Sequence, residues 1–210
     1  MSTPRTTISR LGNRANYDFD AIASILDEAL HIQVAYVESS EPRLVPTAHV
    51  RVGKFLYLHG SVKSHLIQQL ADGREACLSV AIMDGLVLAR SAMHHSVNYR
   101  SVVVHSRGEM VTEEKEKWKA LAAFTEKLIP GRWDDIRQPD PGEMKATAVL
   151  RFSLDEAVAK IRLGPPSDAA PDLNLPIWGG VIPLRQHRGL PEADEHNQVE
   201  LPAYLRNQAR

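Results

Sequence analysis

The chain has 210 residues and a formal net charge of −1, with 25 Lys and Arg against 26 Asp and Glu, which gives no like-charge block and argues against nucleic-acid and anionic-membrane partners. Its one cysteine, Cys77, excludes an internal disulfide and a thiolate zinc cluster. No window carries the ~18 apolar residues of a membrane span, and the opening residues lack a signal-type apolar core, so a cytoplasmic protein is expected.

An N-terminal arm over residues 1–16 precedes the first periodic segment, Tyr17–Leu30. There Ile22, Ile25, Leu26, Ala29 and Leu30 recur at helical spacing, and Asp18 or Asp20 suits the cap. Two β-rich runs, IQVAYVES and PRLVPTAHVRV, follow on either side of a turn at Ser39–Pro42. Pro46 makes the second an edge strand or a bulged one. Gly53 marks a turn and KFLYLHG reads as a strand. SVKSHLIQQLADG reads as a short helix capped by Ser61, with Val62, Leu66, Ile67 and Leu70 on one face and Gly73 at its end.

REACLSVAIM is a nearly continuous apolar strand, with Cys77 expected to be a buried, inert thiol. Asp84-Gly85 carries a hairpin-turn signal. A dense polar insert, His94 to Ser101, then leads into RSVVVHSRGEMV, a long strand. Thr112–Leu128 is predicted as a helix capped by Thr112, with Trp118, Leu121, Ala122, Thr125 and Leu128 as its buried stripe. After Pro130-Gly131 and a Pro- and Asp-rich loop come the strands KATAVLRFSL and EAVAKIRLG. GPPSDAAPDLNLP is a linker, IWGGVIPL a last apolar piece, and residues 185–210 a polar tail. About seven or eight short strands without strand-helix alternation point to a barrel or sandwich.

Three places carry candidate chemistry. In LYLHGSVKSHL a strand delivers His59, Gly60 permits close approach, and Ser61, Lys63, Ser64 and His65 offer hydroxyl and cationic donors where a helix begins. That suits a phosphate and equally suits a capped surface helix. Arg100 and Ser101, with Tyr99 beside them, are suited to complete a phosphate clamp, since a guanidinium gives paired hydrogen bonds to phosphate oxygens. The neighbouring His94-His95 pair is a poor chelator, because adjacent strand residues point to opposite faces, and no metal site is expected. Trp178, next to Gly179 and Gly180, suits either the wall of a flat ligand or a core or interface position. No G-x-S-x-G, G-x-G-x-x-G or Walker loop is present.

The order of ILDEAL, LVPTAHV, LYLHGS, DGLVLARS, NYRSVVV, EEKEKWKAL, GPPSD and PIWGGVIPL resembles the pyridoxamine-phosphate-oxidase-like family of FMN-binding split barrels, closest to its nitroimidazole-resistance reductase branch. The resemblance spans residues 17–184. It implies a mainly β fold with inserted helices, a six-stranded antiparallel split β-barrel, and a homodimer with FMN at the subunit interface. It further implies flavin contacts at Pro46, Thr47 and Ala48, with His59 near the flavin as the catalytic candidate. Phosphate contacts fall at Ser61, Lys63, Ser64, His65, Arg100 and Ser101, and Trp178 arrives from the partner subunit. Ser64 and Leu66 stand where that branch carries Gly and Lys, and IWGGVIPL lacks the Arg-Leu-x-Pro ending of the true oxidases, which argues against pyridoxamine phosphate oxidation. The implied function is an FMN-dependent oxidoreductase that takes electrons from a nicotinamide donor to a small flat substrate. The alternatives are a flavin carrier or sensor without turnover, and a haem- or deazaflavin-binding relative of the same barrel.

Overall fold

The computed structural model describes residues 3–206. In chain order the elements are β1 (Ala15–Asn16), α1 (Phe19–Glu28), β2 (His31–Glu38), β3 (Glu41–Ala48), β4 (Val50–Val52), β5 (Phe55–Ser61), α2 (His65–Leu70), β6 (Asp72–Leu88) and β7 (Ser96–Met110). They continue with α3 (Glu114–Leu128), α4 (Pro141–Ala146), β8 (Thr147–Ser153), β9 (Ala157–Arg162), β10 (Gly180–Pro183) and α5 (Ala203–Arg206).

The strands form one antiparallel sheet, ordered β3-β2-β6-β7-β8-β5-β4, and β7 divides its second edge between two partners. Tyr99–Val104 pairs with β9, while Glu109 and Met110 pair with β8. This is the expected split barrel, with ten strands rather than six. The additional ones are short or peripheral: β1 pairs with β9, and β10 pairs with β6.

Period-two alternation fills the barrel. Ile32, Val34 and Tyr36 of β2, Leu78 and Val80 of β6, Val102 and Val104 of β7, and Leu150 and Phe152 of β8 all point into one core. Helix α1 closes it with Ile22, Ile25 and Leu26, and Asp18 caps that helix by accepting from the Ala21 N–H. A second cluster lies outside the barrel, where Ala120 and Phe124 of α3 pack on Val50, Tyr57 and Val149.

Several sequence expectations are corrected. Asp84-Gly85 is not a hairpin turn. β6 runs through it with a register shift between Met83 and Gly85, and β10 lies so close that a Cβ on Gly85 would sit 2.9 Å from a Val181 methyl. Gly85 is thus required by a passing strand. The polar insert is mostly strand, since β7 already begins at Ser96. Helix α2 starts at His65 rather than Ser61, which ends β5. Thr112 caps nothing, because α3 starts at Glu114 with Glu113 in the cap position. The buried face of α3 centres on Ala120 and Phe124, leaving Trp118 half-buried against Trp133, ring centroids 5.6 Å apart. The Pro- and Asp-rich loop hides α4, started by a capping box between Asp140 and Glu143 with Pro141 in the first turn.

The supposed linker is pinned. The Asp168 carboxylate, 1 % exposed, accepts from the Arg90 backbone N–H at 2.8 Å and from the Arg90 guanidinium at 2.7 Å. The tail also returns to the body. Tyr204 of α5 donates to Asp135 at 2.6 Å and accepts from Arg132 at 2.9 Å. Cys77 is half-buried on β6, and burial pushes its thiol pKa up, away from the reactive thiolate.

Candidate functional site

β5 places His59 opposite Val149 of β8, next to the outer cluster. Its ring packs edge-on against Phe124, centroids 4.3 Å apart, and makes no side-chain hydrogen bond among the described residues. His59 is exposed as a residue, and partial burial of its ring pushes its pKa down, favouring the neutral imidazole. His59 lines a cavity of about 480 Å³ between the barrel, α3, the loop after it and α4. Most of the remaining wall is apolar, including Leu30, Leu121, Phe124, Leu128, Trp133 and Met144.

Two polar groups stand out in that wall. His49 is 1 % exposed, and its Nε2 lies 2.9 Å from the Leu26 carbonyl oxygen and 3.1 Å from Lys127 Nζ. Lys127 also donates to the Leu26 carbonyl at 2.9 Å. Burial and the Lys127 charge push the His49 pKa down to about 4, and burial pushes Lys127 down to about 8. The His49 Nδ1 is buried without a partner. At the other side of the cavity Arg137 pairs with Glu143 at 2.6 Å.

The sequence-predicted residues fall into two groups. Pro46, Thr47 and Ala48 end the edge strand β3, with Pro46 and Ala48 exposed and Ala48 and His59 both lining the cavity. Ser61 and Lys63 are exposed in the turn before α2, where the Ser61 hydroxyl accepts from the Lys63 N–H at 3.2 Å. Ser64 is the residue preceding α2. His65 engages Glu38 at 3.0 Å and draws the Glu38 pKa down, chiefly through that hydrogen bond.

Arg100 lies elsewhere. Its guanidinium grips Asp84, with Nε at 2.9 Å and Nη2 at 2.7 Å, and it also holds both Glu28 oxygens. These carboxylates raise the Arg100 pKa. Glu28 precedes the start of β2, whereas His65 meets Glu38 at its end, and eight extended residues span about 25 Å. Within one chain, therefore, Arg100 does not form a clamp with Ser61, Lys63, Ser64 or His65. Tyr99 is half-buried opposite Arg162, and the Ser101 hydroxyl donates to the Lys160 carbonyl at 3.2 Å. Trp178 is 65 % exposed and folds its ring over Gly180, where a Cβ would come within 2.7 Å of it. His94 ends a 3-10 turn, and the His95 Nδ1 lies 3.0 Å from the Ser91 carbonyl.

Sequence reasoning missed His49, Lys127, Phe124 and Trp133 as a group. His49 stands within LVPTAHV, and Lys127 lies one helical turn beyond Phe124, but only the packing of α3 on the barrel joins them.

A split antiparallel barrel of this kind is the fold of the flavin-binding split barrels. The pyridoxamine 5′-phosphate oxidase family model matches residues 18–161, and the chain belongs to that family. The flavocytochrome Anf3 from Azotobacter vinelandii is 37 % identical, with a TM-score of 0.91 over 97 % of this chain and 95 % of that one. An FAD and haem binding protein from Mycobacterium smegmatis is 31 % identical, with a TM-score of 0.89 over 93 % of this chain and 97 % of that one. A candidate 5-nitroimidazole antibiotic resistance protein from Bacteroides thetaiotaomicron shares the fold at 20 % identity and a TM-score of 0.59, covering 70 % of this chain and 86 % of that one. A search of curated proteins gives no significant match. Among the described residues no helix is long and apolar enough to cross a membrane.

Proposed function

We propose that this protein is a redox protein that binds a flavin and a haem, with the cavity beside α3 as the haem site and His59 as the residue that would hold the iron. The observation that carries this reading is a neutral histidine without a hydrogen-bond partner on the wall of a largely apolar cavity of about 480 Å³. A haem ligand must be the unprotonated imidazole, and a porphyrin needs an apolar enclosure with a few placed polar groups. The near full-length likeness to a flavocytochrome and to an FAD and haem binding protein supports both cofactors together, where the sequence reading set haem and flavin as alternatives.

The flavin reading keeps FMN as its first candidate. The exposed edge at Pro46–Ala48 and the turn at Ser61–Ser64 supply a surface, backbone groups and the Lys63 cation. When bound, the flavin would supply hydride chemistry with a nicotinamide donor and the haem one-electron transfer. This chain's residues would orient the two groups and keep His59 unprotonated. The homodimer is likewise part of the proposal. Leu175, Ile177, Trp178, Ile182 and Leu184 form an exposed apolar stretch around β10 that a second copy would cover, bringing Trp178 to the partner.

Haemin titration into wild type and His59→Ala tests the reading. The wild type should develop a shifted Soret band at one haem per chain, and His59→Ala should lose that shift while keeping bound flavin. An unchanged Soret band in His59→Ala would exclude His59 as the ligand.

A further inference from the structure

The cavity beside α3 is not uniformly apolar. Lys127 brings a cation into its wall, and among the described residues no carboxylate in hydrogen-bond contact neutralises it: its polar contacts there are the Leu26 carbonyl and His49 Nε2. Asp27, the nearest acidic influence, is held by Arg51 through Nε at 3.0 Å and Nη2 at 2.5 Å. Behind Lys127, His49 is buried at 1 % exposure and also lines the cavity.

Lys127 and the His49 ring meet at one carbonyl: Lys127 Nζ donates to the Leu26 oxygen at 2.9 Å and lies 3.1 Å from His49 Nε2, which itself lies 2.9 Å from that oxygen. An ammonium without a counter-ion in an apolar wall is costly, and an occupant that presents a negatively charged oxygen to it removes that cost.

We propose that Lys127 forms an anion-receiving subsite of this cavity, with His49 packed behind it, and that its occupant is a largely apolar molecule carrying an acidic group at one end. The inference deepens the haem reading, on which the identification of that group as a haem propionate rests. The subsite itself is defined by the cavity and the Lys127 ammonium.

The other charged or titratable groups around the pair are Asp27, Arg51 and His31 on the barrel side, and His59, Arg137 and Glu143 across the cavity. Arg51 is bound to Asp27 and Arg137 to Glu143, so among the described residues around the cavity Lys127 is the cation left to meet an incoming anion.

Two fluorescent probes of similar shape test this without iron: 1-anilinonaphthalene-8-sulfonate, which is anionic, and N-phenyl-1-naphthylamine, which is neutral. Wild type should bind the sulfonate at least tenfold tighter. Lys127→Met should abolish that preference while leaving the neutral probe unchanged, and Lys127→Arg should restore it. The preference should also fade as pH rises through about 8, where Lys127 loses its proton. Equal binding of the two probes by wild type, equal weakening of both by Lys127→Met, or failure of both to bind would overturn the proposal. The haem reading fails separately, if haemin gives no shifted Soret band while the sulfonate preference holds.

Discussion

At the scale of single residues, the cavity wall stores a pH dependence. The folded His49 stays neutral down to about pH 4, whereas a histidine in the unfolded chain protonates near its ordinary value of 6.5. As pH falls from 6.5 towards 4 the unfolded state gains a proton that the folded state refuses. The His49 contribution is therefore full above 6.5 and falls across that window, by up to about 3 kcal/mol. Urea unfolding of wild type and His49→Gln should show the acid loss in the wild type and a flatter profile in the variant. A second residue-level constraint lies at the closed end of the barrel. A Cβ on Gly108 would stand 2.5 Å from the Leu70 carbonyl oxygen, so α2 has to retreat to admit it. Gly108→Ala should cost about 1–3 kcal/mol by overpacking, measured as a shift in the urea midpoint at constant m-value.

Secondary-structure elements show where the chain's local grammar speaks and where it is overruled. Asp168 fastens the segment between β9 and β10 to Arg90, and its side chain is 1 % exposed. Because Arg90 keeps partial access to water, Asp168→Ala should cost about 2 kcal/mol rather than the full penalty of breaking a buried pair. Limited proteolysis should then cut within residues 169–178 faster than in wild type. The sequence reads this stretch as a linker because Gly, Pro, Ser and Asp dominate it, and composition cannot show a buried carboxylate meeting an arginine far along the chain. The same limit explains Asp84-Gly85. The dipeptide has turn chemistry, yet the approach of β10 makes it a bulge inside a 17-residue strand. Elements governed by local periodicity are legible: α1 with its Asp18 cap, the alternating strands, and Pro46 on an edge strand. The capping box of α4 is also written in the sequence, as Asp140, Pro141 and Glu143. The candidate site is legible only at His59 and the end of β3, because Lys127, Trp133 and Met144 reach the cavity through long-range packing.

On the scale of the whole molecule, the barrel leaves two unlike surfaces: the half-open cavity beside α3, and the exposed apolar stretch around β10. The proposed dimer covers the second, and light scattering should give twice the chain mass. Trp178→Ser should shift the protein towards monomer, and an unchanged dimer would place the contact elsewhere. The proposed pairing of flavin with haem depends on the first surface, because His59 places an unpartnered imidazole on the cavity wall. The most direct measurement is the visible spectrum of the purified protein, supplied with haemin and FMN and then reduced by a nicotinamide donor. The expected result is flavin absorption and a Soret band in one preparation, with the flavin bleaching and the Soret band shifting to its reduced position, and the Soret shift missing in His59→Ala. A flavin spectrum with no haem taken up would contradict the account.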